Sequence, residues 1–554
     1  MNHYAISIFG KLDYALPLVA HVDALDSECI SLLQLDVRAM MLTLDNKHNA
    51  LLTTAGLIGG TVTAILAALA VKYPDKAVFD DPHEELPLRK GWPLLGTLPH
   101  FLYNSQIAHD FFLRDFILLD ALTVAVSALG KPRSIGTIDP RNIDHVLKHN
   151  FENYAKGPQF NEATEHLLGH GIFNANGEQW RYQRKTASHI FNVKNFRDHF
   201  TEVFLQEIEQ MFNHVFDPAI KTQEPVDFHE TMFRFTLDSF FLLGFGVPLN
   251  SLSTKEKIPF AVSFDAAQTS AFYRFANPFW RVAETADRVF RPWNTSLQQH
   301  LKVMNSFAVQ VIDGRRKDIA EGEKDHKDLL SRFMNTKNEH GEPLNNTELR
   351  DIVLNFIIAG RDTTAQALSW AFYNLMLHPR VEAKLVEEIN EYIEEDMNAP
   401  TLYEVIKSMK YAHAVFYETL RLHPPVPNNQ KYALNDDVLP DGTHIRKGDY
   451  VFWSPWAMAR SEKVWGPDAR DFRPERWFTP EGDLRRESQG KFNSFHSGPR
   501  VCLGQNLATL EGLIAMTYLL KRYRFSLVPG QDITYQVSLS LPMKNGMKVF
   551  VKSR

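Results

Sequence analysis

The stretch Phe495-His-Ser-Gly498-Pro-Arg500-Val-Cys502-Leu-Gly504 decides how the rest of the chain is read. It holds one of only two cysteines among 554 residues, the other being Cys29. Its glycines permit a tight loop whose backbone comes close to a flat ligand. Peptide N–H groups of such a loop can point at the sulfur and favour the thiolate, the form that binds metal. Arg500 places a fixed cation beside it, suited to carboxylates. The bland alternative is a buried, inert cysteine. A hydrolytic nucleophile would need a partnered histidine, which many of the 22 could supply. That reading accounts for neither the Asp362-Thr363 pair nor the charge pattern around Glu418.

At 44% hydrophobic and 23% charged residues, the chain can bury a large core. No Gly/Ser linker breaks it after residue 100, so the usual length prior of several domains does not apply. A net charge of -6 argues against nucleic acid as a partner. Two cysteines exclude a disulfide framework. His166 and His170 have helical metal spacing but lack a third ligand nearby.

Leu51 to Val71 is a run of 21 residues without a charge. At ~1.5 Å per residue it just spans a ~30 Å hydrocarbon core, and it begins too late for a cleaved signal peptide. Lys72 and Lys76 follow it, whereas the first 50 residues hold six acidic and three basic side chains. The positive flank puts residues 72 onward on the cytosolic side. Prolines 82, 87, 93 and 99 then stiffen a hinge over residues 72–99. Helical periodicity follows at Pro140–His149, Phe196–Phe216, Asp227–Phe245, Leu301–Gly322, Thr347–Leu377, Pro379–Glu395 and Leu402–Leu422. Strand signals are few and late, at Tyr450–Trp453 and Met547–Val551.

Ala359-Gly-Arg-Asp362-Thr363-Thr364 lies inside the longest of these helices. A glycine and two threonines there cost stability. Read alone, they make a kink whose hydroxyls bond back to the preceding turn. Glu418 and Arg421, spaced i, i+3, share a helical face and precede Arg476 in Phe472-Arg-Pro-Glu-Arg-Trp477. Trp180 and Arg184 stand one helical turn apart, which on its own is an ordinary helix start.

In this order the motifs resemble the cytochrome P450 family, from about Lys76 to Arg554. The resemblance implies a fold that is mainly α with a small β part, preceded by an N-terminal transmembrane helix. It divides the chain into a luminal segment of unassigned role (1–50), an anchor (51–71), the hinge (72–99) and a haem-thiolate monooxygenase domain (100–554). Cys502 becomes the thiolate ligand of haem b, with Phe495 and Gly504 in its loop. Trp180, Arg184 and Arg500 are expected to hold the propionates. Thr363 is expected to hydrogen-bond dioxygen in a widened turn, with Asp362 relaying protons. Glu418, Arg421 and Arg476 are expected to form a buried structural triad.

No Gly-x-Gly-x-x-Gly follows a strand, so electrons from NADPH must come from another protein; the resemblance implies NADPH–cytochrome P450 reductase, with cytochrome b5 as a further partner. Arg473, Lys491, Lys521 and Arg522 are expected to attract the reductase. The implied location is the endoplasmic reticulum membrane, single-pass, with the catalytic domain cytosolic. The nearest branch is the fatty-acid hydroxylases of fungi and plants. Phe151–Gly157, Gly171–Asn174, Glu418–Pro427, Asp437–Gly442 and Leu541–Gly546 carry that likeness. Ala359 stands where animal fatty-acid ω-hydroxylases usually have Glu, so no ester link to haem is expected. The implied substrate is a lipophilic molecule, a long-chain fatty acid oxidised at or near its terminus. It would be lined by Ile358, Ala359, Val426 and Leu539, within stretches that include 159–168, 426–429 and 538–541. Steroid or xenobiotic hydroxylation is the alternative. A haem protein that rearranges peroxides, or binds ligands without turnover, is the second.

Overall fold

The computed structural model describes residues 47–83, 85–191, 193–291, 293–321, 328–338, 340–394 and 397–554, with the side chains of 47–53 and 55 left aside. Residues 1–46, most of the expected luminal segment, lie outside these, as does Cys29. The chain divides into Met1–Lys72 and Tyr73–Arg554.

In the first unit, helix α1 (Lys47–Lys72) covers the uncharged run. Its described side chains are nearly all exposed, among them Ile58, Val62, Ile65, Leu66 and Val71. The hydroxyls of Thr61 and Thr63 bond back to the carbonyls of Leu57 and Gly59 at 2.8 Å, so these polar groups are satisfied within the helix. The run begins among residues whose side chains are not described. Among the described residues, no helix is long and apolar enough to cross a membrane.

The second unit opens with residues 73–99 folded back on themselves. Val78 N–H donates to Leu94 at 3.0 Å, and Thr97 N–H to Ser127 at 2.8 Å. The helices that follow are α2 (Ala108–Leu118), α3 (Pro158–Leu168), α4 (Gly177–Ser188), α5 (Thr201–Met211), α6 (Phe228–Phe245), α7 (Pro259–Ala276), α8 (Trp280–Phe290), α9 (Leu297–Ala320), α10 (Asn346–Ile357), α11 (Thr363–Leu377), α12 (Pro379–Tyr392), α13 (Ala399–Ser408), α14 (Lys410–Leu422) and α15 (Gln505–Arg522). A large phenylalanine-rich core forms where α5, α6, α10, α11, α14 and α15 pack. Phe228, Phe235, Phe241 and Phe245 of α6 are fully buried in it.

Capping explains several boundaries. The Asp227 carboxylate accepts from Glu230 N–H at 3.1 Å and starts α6 one residue inside its expected range. Asn345 and Glu348 form a reciprocal capping box at α10. The expected helix Leu402–Leu422 is instead two, because Met409 is non-helical at ψ 85°. The Glu388 carboxylate on α12 accepts from Tyr411 and Ala412 N–H at 2.7 and 2.8 Å, capping α14 from outside. The expected helix Thr347–Leu377 is continuous, but its middle is a wide five-residue turn, Ile358–Asp362, between α10 and α11.

The β part is larger at its start than the sequence pattern suggests. A five-stranded sheet has the order β1 (Thr123–Val126), β2 (Ser134–Thr137), β8 (Tyr450–Trp453), β5 (Asn429–Ala433), β3 (Tyr154–Ala155). Only β2 and β8 pair in parallel. A smaller sheet orders β4 (Val226–Asp227), β10 (Lys548–Ser553) and β9 (Tyr523–Leu527). A hairpin pairs β6 (Asp437–Val438) with β7 (His444–Ile445). Strands β1 and β2 escape a pattern search because they are four residues long and buried on both faces, so no alternation marks them.

Candidate active site

The cysteine loop is built by two left-handed residues, His496 (φ 63°) and Gly498 (φ 64°). At Gly498 a Cβ would overlap the carbonyl of Leu147, so only glycine lets the loop lie against this segment. Cys502 N–H donates to the Phe495 carbonyl at 2.8 Å, closing the loop before α15 begins. Gly504 N–H points at the cysteine sulfur. Burial pushes the Cys502 thiol up, and the Gly504 amide and the Arg184 charge oppose it. Yet Cys502 keeps accessible surface. Both observations hold if its surface faces space enclosed by protein rather than bulk water.

Around that space the protein concentrates positive charge. Arg500 lies over the Trp180 ring with its guanidinium carbon 4.5 Å from the centroid, and Arg184 lies 5.8 Å from the same ring. Burial, then the neighbouring Arg184, pull Arg500 down to about 10. Burial, then Arg500, pull Lys156 down to about 7. Lys431 is driven well below its usual value by burial and by Lys156 and Arg500. His496 is held neutral, at about 3, chiefly by burial and then by Lys431 and Lys156. Arg500 reaches the Ala175 carbonyl at 2.7 Å, and its buried Nε has no partner. Lys431 donates to the Tyr154 carbonyl at 3.4 Å and lies 5.7 Å from the Phe151 ring centroid. Among the described residues none of these four cations has a carboxylate partner. Clustered buried cations of this kind demand an anion. A flat ligand bearing two carboxylates, placed over Cys502, meets both the charge and the sulfur, so the residues present fit haem.

The second part of the candidate site is the wide turn between α10 and α11. Widening frees carbonyls from their helical partners, and hydroxyls take them. Thr363 Oγ1 donates to Ala359 O, and Thr236 Oγ1 of α6 donates to Arg361 O, both at 2.8 Å. At Gly360 a Cβ would overlap the Phe240 ring of α6, so glycine sets the close approach of the two helices. Asp362 is buried, with Oδ1 accepting from Arg361 at 2.9 Å and Oδ2 from Gln268 at 2.6 Å. Burial pushes its carboxyl up, against Arg361. Thr363 therefore shares no hydrogen bond with Asp362 here.

Glu418, Arg421 and Arg476 meet. Arg421 donates to both carboxylate oxygens at 2.8 Å, and Arg476 Nε donates at 2.8 Å. Trp477 Nε1 at 3.0 Å and Arg473 N–H at 2.9 Å complete five donors on a fully buried carboxylate. Of the expected substrate-facing residues, Ile358, Ala359 and Leu539 are half-buried, whereas Val426 is 38% exposed. The four cations expected to attract a partner are already engaged. Arg473 pairs with Asp468 at 2.7 Å, Lys491 with Glu487 at 3.2 Å, Arg522 with Asp217 at 2.7 Å, and Lys521 donates to Asn390 at 3.2 Å.

Sequence reasoning missed Lys156, Lys431, His496, Gln268 and Asp265. Lys156 sits in the quoted Phe151–Gly157 stretch, and His496 in the decisive loop, so both were within reach. Lys431 gave a weaker signal, a lone lysine in a strand buried to 1%. Gln268 and Asp265 lie on α7, whose packing no local pattern reveals.

The family described as cytochrome P450 matches residues 87–548. Cytochrome P450 704B1 of Arabidopsis thaliana is 38% identical over 505 residues, covering 84% of this chain and 94% of that protein. Cytochrome P450 monooxygenase cyp1 of Mycosarcoma maydis is 35% identical, covering 94% of this chain and 82% of that protein. Alkane hydroxylase MAH1 of Arabidopsis thaliana is 31% identical, covering 84% and 94%.

Proposed function

The chain belongs to the cytochrome P450 monooxygenases, whose members bind haem through an axial cysteine thiolate, and on that premise we propose that it hydroxylates a long-chain fatty acid at or near its terminus. The observation that carries the site is the convergence of Lys156, Arg184, Lys431 and Arg500 beside Cys502 without a carboxylate among them. Haem, when bound, supplies the oxidising chemistry that splits dioxygen, placing one atom in a C–H bond and the other in water at the expense of NADPH. The protein does the rest. Cys502 offers the sulfur, with its backbone pinned by Phe495 and its charge eased by the Gly504 amide. Trp180, Arg184 and Arg500, joined by Lys156 and Lys431, would hold the propionates. Asp362 holds a proton from solvent and Thr363 passes it toward the oxygen side of the pocket. Glu418, Arg421 and Arg476 fix the frame behind the cysteine loop.

The substrate assignment draws on the 31% identity to a protein named as an alkane hydroxylase and on the half-buried apolar residues Ile358 and Ala359 of the wide turn and Leu539. Membrane attachment draws on α1, apolar and exposed nearly all round. Membership of the family supports an endoplasmic-reticulum location, and the positive C-terminal flank supports a cytosolic catalytic domain. Removal of residues 1–72 is expected to release the protein from membranes, and retention in the pellet would contradict the anchor. The electron donor is a reductase.

Two experiments test the reading. Cys502→Ala should lose the thiolate-type spectrum of the reduced carbonyl complex, and its retention would contradict the ligand assignment. Titration of the purified enzyme with a long-chain fatty acid should shift the haem spin state at lower concentration than a steroid does. The reverse order would overturn the substrate.

A further inference from the structure

Both oxygens of Asp362 are held from different directions. Arg361 takes Oδ1 at 2.9 Å, and the side-chain amide of Gln268 on α7 takes Oδ2 at 2.6 Å. Arg361 in turn reaches α7, donating to Asp265 Oδ1 at 2.7 Å. Asp265 and Gln268 are spaced i, i+3 and lie on one face of α7. The orientation of Gln268 is fixed by a chain of bonds. Its Oε1 accepts from Ser540 at 3.4 Å, Ser540 accepts from Gln366 at 2.9 Å, and Gln366 Oε1 accepts from Leu541 N–H at 2.8 Å. The amide that faces Asp362 is therefore the donor end.

The two ends of this clamp differ in exposure. Arg361 and Asp362 are buried at 3% and 1%, whereas the Asp265 side chain is 54% exposed. Arg361 lies over the Phe233 ring, 4.6 Å from its centroid, and its Nε has no partner. Its charge is held by Asp265 and Asp362 alone among the carboxylates bonded to it. One guanidinium thus divides itself between a surface acid on α7 and the buried acid of the wide turn.

We propose that Gln268 and Asp265 are positioning residues that latch Asp362 to helix α7, so that the seating of α7 on the wide turn sets when the relay carboxyl can take up and release its proton. This rests on the reading of Asp362 and Thr363 as the proton relay. Thr363 donates to Ala359 O while Gln268 holds Asp362 Oδ2, so the two relay groups are bonded elsewhere as long as α7 is seated. If α7 lifts, the Gln268 and Asp265 contacts break together, because one helix carries both.

Among the described residues, three further titratable groups face this cluster. From α6, His229 bonds Ser369 through Nδ1 at 3.1 Å and accepts from Met543 N–H at 3.3 Å, and burial keeps it neutral. Glu230 of α6 acts on Arg361 at a distance. Glu511 of α15 bonds Thr364 and Ser239, not Asp362. The two α7 residues therefore have opposed effects on Asp362. Gln268 stabilises its ionised form by donating to it. Asp265 disfavours that form, both by its own charge and by drawing Arg361 away.

The test is a pH titration of the full-length haem-loaded enzyme by infrared difference spectroscopy. The protonated Asp362 band is identified by its absence in Asp362→Asn. Gln268→Met should raise the midpoint of that band by about one pH unit, and Asp265→Asn should lower it by about one. The pH profile of product formed per NADPH consumed should move the same way in each variant. Opposite shifts support the latch. Unmoved midpoints, or two shifts in one direction, overturn it. Should Gln268→Met fail to retain haem, the half-exposed Asp265→Asn decides by its downward shift or the lack of one. If Asp362→Asn itself leaves product per NADPH unchanged, the relay reading fails and the latch falls with it.

Discussion

Replacing Glu418 by glutamine is expected to cost about 3–5 kcal/mol of stability. The figure follows from the surroundings of one carboxylate. Glu418 has no solvent exposure and accepts five hydrogen bonds, three of them from Arg421 and Arg476. Bonds to charged groups are worth roughly 1.5–3 kcal/mol each, but desolvating a carboxylate and two guanidinium groups takes most of that back. What remains is the penalty of stranding buried charge. Arg476 would keep Asp468 at 3.2 Å. Arg421 would keep the carbonyls of Ala459, Ala469 and Asp471 and the Trp465 ring, so its charge is the one left without a counter-ion. Against a total stability of ~5–15 kcal/mol the loss is large, and haem retention should fall with it. Urea unfolding followed by tryptophan fluorescence, with haem content measured in parallel, reads both. Glu418→Leu combined with Arg421→Met should recover part of the loss, because removing both charges removes the stranding. A cost below about 1 kcal/mol for Glu418→Gln would refute this reasoning, since that is the worth of an exposed pair.

Three further outcomes follow from the geometry. Gly360→Ala should destabilise by about 1–3 kcal/mol through overlap with the Phe240 ring, and adding Phe240→Leu should recover much of it in a double-mutant cycle. Thr363→Ala should keep haem and its thiolate spectrum but divert NADPH into hydrogen peroxide. Fully coupled turnover would count against its relay role. Burial pushes Glu511 up to about 8 from an ordinary 4.5. From pH 4.5 to about 8 the unfolded chain has released that proton while the folded one holds it, so stability falls as pH rises through this window. Glu511→Gln should remove that slope in urea midpoints measured across the window. An unchanged slope would show that Glu511 is not its source.

What could be read from the sequence divides by the range of the interaction. The cysteine loop, Asp362-Thr363 and the Glu418 pattern are local, since each needs a few residue types at short spacing. Helix α9 is legible for the same reason, its buried Met304, Ala308, Val311 and Ile312 falling at helical spacing. Helix α15 is not, because residues from Leu507 to Leu520 are buried on every side and leave no stripe. The break at Met409 depends on a carboxylate from α12, which no window around residue 409 contains. Lys431 is similar, since its meaning comes from Lys156 and Arg500, far away in sequence. The four surface cations show the converse. Their number was plain, but their carboxylate and amide partners appear only once the chain is folded.

The most direct test of the central claim is product analysis. The purified chain would be reconstituted with NADPH–cytochrome P450 reductase and NADPH, offered a long-chain fatty acid and a steroid, and the new oxygen located by mass spectrometry. The account predicts one added oxygen at or near the fatty-acid terminus. Oxygen on the steroid alone, or no product from the fatty acid while the thiolate carbonyl spectrum is intact, would contradict it.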